Sequence, residues 1–327
     1  MLLPADFDKQ KWTLSRQIGI KHVITKASPE LTGLEAPYDF NTLKIIKERL
    51  EEAGFNLYGL EGDQFDMSSI KLGLADRDAW IEKYCLMLDN MGKLGISLLC
   101  FNWMAEIGWY RTSSHIVERG GALSSGFDYE CIKDKLVKED RRISEELIWD
   151  NLYYFLDAVL PVAESNGIKM ALHPDDPPIS PFMGIGRILA SANNFKKILK
   201  DFNSPSMGVT FCVATFSLMD ENIYQLAADW LEEKKIFFIH IRNLKGNKYK
   251  FEETFIDNGD IPIPDLLKFI NEHGYNGPVR SDHAPAMYGE KRKEFSGSTS
   301  VGYDILGHIY STGYIKGICD LENIILE

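Results

Sequence analysis

The chain has 327 residues, 45% of them hydrophobic and 26% charged, with a formal net charge of −12. That length suits one large α/β unit or two ordinary ones. The acidic balance argues against nucleic acid and anionic membrane, which need a basic partner surface, but leaves room for an anionic small molecule held by a local Arg, Lys or metal cluster.

Met1–Phe7 is predicted as a short first strand and His22–Lys26 as a second. Phe40–Ala53 carries Leu43, Ile46, Leu50 and Ala53 at helical spacing, and Gly54 closes it. The strand Asn56–Leu60 ends at Glu61, a helix follows over Asp76–Leu94, and Ser97–Cys100 forms the next strand. Residues 105–142 read as irregular, a connection long enough to be a lid or an insertion. Ser144 caps a helix running to about Asn166. The apolar run Met170-Ala171-Leu172 is too short for a helix and breaks into His173, Asp175 and Asp176 among Pro174, Pro177 and Pro178, as a strand would that delivers polar groups at its end. Helix 193–202, strand Met207–Phe211, helix 222–233 and strand Ile236–Ile239 follow. A charged loop, helix 263–273, strand Gly277–Ser281 and a last helix from about Asp304 complete the chain.

These alternations, about eight in number with no internal linker, predict a parallel (β/α)8 TIM barrel. A doubly wound sheet needs an early glycine fingerprint, and the nearest match, Gly184-Ile-Gly186, is late and incomplete. The cysteines Cys85, Cys100, Cys131, Cys212 and Cys319 are scattered and never form Cys-x-x-Cys, the usage of a reducing compartment. The first residues do not resemble a signal peptide and no apolar run approaches a membrane span, so a cytoplasmic location is expected.

Four consecutive strands end in metal-competent side chains: His173, Cys212, His240 and Asp282. Their spacings of 39, 28 and 42 residues are each about one strand–helix unit, so in a barrel they meet on the face that carries active sites. Two imidazoles, a thiolate and a carboxylate suit a divalent transition metal. Singly, each has a blander fate: a cysteine after an apolar strand is usually a small buried hydrophobe, and an Asp-His pair can cap a helix. Coincidence at four equivalent strand ends favours the metal. Arg242 and Asn243 could hold a substrate carboxylate, although a surface salt bridge is as common an outcome. Trp103, Trp109 and Tyr110 could wall a sugar pocket, although core packing is commoner. Cys100 reads as core and Lys291–Glu294 as a solvated loop.

His173-Pro-Asp-Asp-Pro-Pro178 resembles the signature of the mannonate dehydratases, hexonate-dehydrating enzymes of glucuronate catabolism. Cys100-Phe-Asn-Trp-Met104, Trp109-Tyr-Arg-Thr112, Phe211-Cys212, His240-Ile-Arg-Asn243, Arg280-Ser-Asp-His283 and Gly302-Tyr303 resemble further blocks of that family, so the likeness spans most of the chain. The resemblance implies a xylose-isomerase-like barrel, taken as one domain over 1–327 with 105–142 as a lid-like insertion. It also implies a Mn2+ (or Fe2+) ion and loss of water from D-mannonate to give 2-keto-3-deoxygluconate. Carried across, His173, Cys212, His240 and Asp282 are the ligands and His283 and Tyr303 transfer protons, with either as acid or base. Asn102, Arg111, Asp175, Arg242 and Asn243 contact the sugar acid. Glu252 and Ile256 stand where the family has histidines, Ser281 and Ala284 where it has Pro and Gly, and His308 where it has Arg. These departures leave the choice of hexonate open.

Two other readings compete. A metal-dependent isomerase or epimerase of the xylose-isomerase-like barrels would share the fold, but such sites lean on carboxylates and have no place for Cys212. A catalytically silent sugar-acid-binding paralogue would explain the departures but not the retention of all four ligands with His283 and Tyr303. Barrel enzymes often pair through exposed helices, so a homo-oligomer is possible, though no helical stripe stands out.

Overall fold

A computed structural model describes residues 1–3, 5, 9–290, 297–298 and 302–326; the stretch Lys291–Glu294 lies outside them. In chain order the strands are β1 His22–Thr25, β2 Asn56–Glu61, β3 Leu98–Phe101, β4 Tyr110–Arg111, β5 Ser113–Val117, β6 Leu123–Asp128 and β7 Lys169–Leu172. They continue with β8 Met207–Cys212, β9 Ile236–Ile241, β10 Asn243–Asn247, β11 Lys250–Thr254, β12 Val279–Ser281 and β13 Gly297–Ser298.

Seven strands form one curled sheet in the order β1-β2-β3-β7-β8-β9-β12, each pair parallel. Met1–Leu3 extends it at β1, where Leu2 bridges Ile24 in parallel and Leu3 N donates to Ile24 O at 2.9 Å. Strands of such a sheet are covered on both faces, and all six residues of β8 are buried. The helices follow amphipathic stripes. Asp39 accepts from Thr42 N to start Phe40–Glu52, which buries Leu43, Ile46 and Leu50. Gly54 then turns the chain at φ +85°, a backbone angle that side chains disfavour, into β2. The expected α/β barrel architecture is the one observed. No helix of the described residues is long and apolar enough to cross a membrane.

Two expectations are corrected. Residues 105–142 are not irregular throughout, and the chain after His240 is not a simple charged loop. β10 and β11 form a hairpin, and with β6 and β5 they make a four-stranded antiparallel sheet in the order β10-β11-β6-β5. These strands are short and mostly polar, and what stabilises them is pairing across more than a hundred residues, as between Phe251 and Phe127. Local periodicity does not carry such a signal.

Candidate active site

The strand register assembles the metal-competent residues. Cys212, the last residue of β8, pairs with His240 in β9, and His240 pairs with Arg280 in β12. His173 leaves β7 with its amide bonded to Phe101 O, and Asp282 leaves β12 with its amide bonded to Ile241 O, both at 2.8 Å. All four therefore stand at the C-terminal ends of adjacent strands. Ligand atoms of His173, Cys212 and His240 lie within 4.8 Å of one another. Asp282 Oδ2 is 3.9 Å from Cys212 Sγ.

The donor chemistry fits a divalent cation. His173 Nδ1 is 2.7 Å from Pro174 O. A carbonyl only accepts, so Nδ1 carries the proton and Nε2 offers its lone pair. Burial pushes His173 below its ordinary value, which keeps the imidazole neutral. His240 Nε2 is buried and makes no aligned hydrogen bond, its nearest acceptor being Glu61 Oε2 at 3.5 Å, so its lone pair is available to a cation. Burial opposes ionisation of Asp282, but His283, Arg280, His240 and Arg242 outweigh it and hold the carboxylate charged. A second triad, Glu61, Cys100 and His240, shares one imidazole with the first. It is the poorer donor set: burial pushes the Cys100 thiol well up, and Glu61 is engaged by Arg280.

Beside this corner a cavity of about 580 Å³ opens, lined by His173, Asp282, His283, Tyr303, Trp109 and Arg280 among others. His283 Nδ1 lies 2.8 Å from Glu253 Oε1. Burial works against charge on Glu253, yet Arg111, His283 and Arg242 hold its carboxyl well below the ordinary range. The carboxylate thus fixes the His283 proton on Nδ1 and leaves Nε2 as the working nitrogen. Tyr303 donates its hydroxyl to Asp282 Oδ1 at 3.0 Å. Burial and the Asp282 charge push that phenol well above its ordinary value, so it keeps its proton.

Behind the cavity runs a buried ion-pair lattice. Arg111 grips Asp176 through both oxygens at 2.7 and 2.8 Å and reaches Glu253 Oε1 at 2.7 Å. Arg242 bonds Asp176 and Glu253, each at 2.7 Å, and its Nε stands 3.1 Å from Asp282 Oδ2, an ion pair without hydrogen-bond alignment. Ser125 donates to the other oxygen of Glu253.

The residues expected to contact substrate divide accordingly. Asn102 lines the cavity, where its Oδ1 accepts from Lys71 Nζ and Met104 N, both at 3.1 Å. Arg111 and Arg242 are spent on the lattice rather than pointing to the cavity or forming a surface salt bridge. Asp175 is buried against Arg187 and Leu189 N. Asn243 donates to Ile256 O and Ile261 O, away from the cavity lining. Of the three aromatics, Trp109 lines the cavity and bonds Asp176 at 2.9 Å. Trp103 is core, with its indole nitrogen on Ile148 O, and Tyr110 packs on Phe182.

Sequence reasoning missed Glu253 and, although it placed Asp176 at a strand end and Arg280 in a family-like block, gave neither a role. Glu253 was within reach. In a strand with Phe251 inward, period-two alternation also turns Glu253 inward and Glu252 outward, as observed. Of the two positions that depart from a histidine, Glu252 is therefore exposed, whereas Ile256 is buried.

A family model described as D-mannonate dehydratase (UxuA) matches residues 9–140 and 134–324. The mannonate dehydratase of Thermotoga maritima is 31% identical over 316 residues, covering 86% of this chain and 85% of that one. That of Thermotoga petrophila is 32% identical over 308 residues, covering 84% and 83%. The crystal structure of mannonate dehydratase from Streptococcus suis serotype 2 superposes with a TM-score of 0.87 at 26% identity, over 98% of this chain and 93% of that one. A xylose isomerase domain protein from Planctomyces limnophilus shares the fold alone, with a TM-score of 0.61 at 13% identity. The chain therefore belongs to the D-mannonate dehydratase family, the assignment toward which its metal-competent strand ends and the His173–Pro178 signature already pointed.

Proposed function

We propose that this enzyme dehydrates a hexonate, D-mannonate first among them, to 2-keto-3-deoxygluconate and water, with Mn2+ or Fe2+ held by His173, Cys212, His240 and Asp282. The observation that supports the reading is that two members of that donor set, His173 and Asp282, line one cavity with a protonated phenol and a carboxylate-oriented imidazole, the other two lying behind them. The ion, when bound, supplies the Lewis acidity that stabilises negative charge developing on substrate oxygens.

His283 acts as the base. Its Nδ1–H stays on Glu253, so Nε2 takes the C2 proton, and the buried carboxylate stabilises the imidazolium that results. Tyr303 acts as the acid, since its phenol keeps a proton that can pass to the departing C3 hydroxyl. That hydroxyl leaves as water. The enol left between C2 and C3 returns to the keto form by gaining a proton at C3 and losing its O–H proton. Passage of one proton from the His283 imidazolium to the Tyr303 phenolate restores both side chains, so one substrate gives one keto acid and one water. Trp109, edge-on to the His283 ring at 4.5 Å between centroids, limits how that ring can turn. Asn102 and the Lys71 ammonium behind it shape the far side of the cavity for hydroxyls. In this reading residues 105–142 cover the mouth and belong to one domain with the barrel.

The test is metal analysis of purified protein, followed by assay of the Mn2+-loaded form against several hexonates for release of a 2-keto acid. Near-stoichiometric metal and turnover of D-mannonate are expected. Metal without turnover of any hexonate would move the substrate elsewhere, and absence of metal after reconstitution would overturn the ligand set.

A further inference from the structure

The structure assigns His308 a task beyond packing: we propose that it is a positioning residue for Tyr303, acting through the Gly302–Tyr303 backbone and through Ser281. The inference rests on the proposed role of Tyr303 as proton donor. His308 lies in the first turn of the helix Ile305–Leu321 and is 4% exposed. Its Nε2 stands 3.1 Å from Gly302 O. A carbonyl accepts only, so Nε2 carries the proton, and Nδ1 is left to accept from Ser281 Oγ at 3.0 Å. Both ring nitrogens are satisfied, and each partner is one residue from a group at the cavity: Ser281 precedes Asp282 and His283, and Gly302 precedes Tyr303.

Three further contacts fix the same segment. The His308 and Tyr303 rings stack with centroids 5.5 Å apart and planes 11° apart. Gly302 has φ +105°, and a Cβ there would stand 2.8 Å from His283 Cβ, so only glycine lets this backbone pass the imidazole. Tyr303 then reaches Asp282 Oδ1 at 3.0 Å. One neutral imidazole thus links the end of β12 to the chain that delivers the phenol; its removal leaves the Gly302 carbonyl with only the Ala284 amide, which donates to it at 2.9 Å, and uncovers one face of the Tyr303 ring. Ser281 and His308, two positions where the chain departs from the expected pattern, are direct partners.

The experiment compares wild type with His308→Leu, His308→Gln and Ser281→Ala, all metal-loaded, in steady-state kinetics, metal content and crystal structures. Leucine removes both hydrogen bonds. Glutamine keeps a donor for Gly302 O and an acceptor for Ser281. His308→Leu is expected to lose kcat by about 30-fold, within the range for removing a partner that orients an active group. KM and metal stoichiometry should stay within about twofold and His308→Gln within about threefold of wild type, order-of-magnitude bounds for losses confined to positioning. In the His308→Leu crystal the Tyr303 hydroxyl leaves Asp282. Wild-type kcat in His308→Leu, an unmoved Tyr303, or a loss that merely tracks metal content would each overturn the proposal. If His308→Leu does not fold, Ser281→Ala decides: a kcat-selective loss of about threefold supports the proposal, and unchanged kcat overturns it. If wild type dehydrates no hexonate, the functional reading fails by itself, and the displacement of Tyr303 between the two crystals still judges the positioning.

Discussion

Two buried clusters meet at the mouth of the barrel and follow opposite electrostatic rules. His173, Cys212 and His240 gather electron-pair donors with no cation among them, and one imidazole nitrogen makes no aligned hydrogen bond, with Glu61 Oε2 3.5 Å away. A few ångströms away, Arg111, Asp176, Arg242 and Glu253 bring equal numbers of positive and negative side chains into direct contact. The first arrangement lacks a cation among its donors; the second balances its charges internally, although Arg111 Nε and Arg242 Nε make no hydrogen bond. A cluster short of a cation binds, and a charge-balanced one positions. On that basis Arg242, whose guanidinium invites assignment to a substrate carboxylate, belongs with the scaffold.

The contrast can be broken in order of expected effect. Cys212→Ala or His240→Ala removes a donor from the first cluster and is expected to abolish bound metal and lower turnover by about a thousandfold or more, roughly 4 kcal/mol of transition-state stabilisation. Elemental analysis beside steady-state assay checks it, and full activity in metal-free Cys212→Ala would falsify the ligand assignment. Arg242→Leu attacks the second cluster, where loss of one partner strands buried carboxylates. A stability loss of about 3–5 kcal/mol is expected in denaturant titration, and a loss under about 1 kcal/mol would show the lattice to be dispensable.

Glu253→Gln sharpens the comparison, because this residue joins the lattice to the His283 ring. Turnover is expected to fall about 100-fold while bound metal is retained, since the imidazole loses the anion that orients it and stabilises its charged form. Joint loss of metal and activity would mean that Glu253 supports the ligand cluster instead. Over any single pH unit, the smallest effect is on protonation. Burial, reinforced by Arg280, holds His308 from its ordinary 6.5 down to about 3. Between those values the unfolded chain binds a proton that the folded chain refuses, so this contribution to stability is full above pH 6.5 and shrinks as pH falls toward 3. His308→Gln should flatten that slope by up to about 1.4 kcal/mol per pH unit, and identical slopes for the two proteins would contradict it.

The parallel sheet and the clustering of metal-competent strand ends were legible because each rests on a local pattern. A short apolar run marks each strand, and the residue that follows it stands at the barrel mouth whatever the intervening helices do. His173, Cys212, His240 and Asp282 could be named from spacing for that reason. The lattice was not legible, because its members are joined only by folding: Arg111 and Glu253 are 142 residues apart, and Arg111 and Asp176 are 65 apart. An arginine next to a predicted ligand reads the same in sequence whether its partner is a substrate or a buried aspartate. Glu253 is intermediate, since the alternation of β11 identifies its face but only the pairing of Phe251 with Phe127 says what that face meets.

The four-stranded sheet also has a consequence for how the enzyme comes into being. Glu253 arrives at His283 on β11, which pairs with β6, and these strands come from segments far apart in the chain. Loop-closure entropy must be overcome before such contacts return any stabilisation. In refolding, therefore, the strand ends that gather His173, Cys212 and His240 can form while the His283 imidazole still lacks its carboxylate. Metal uptake and recovery of turnover should then appear as two separable phases, binding first and competence later.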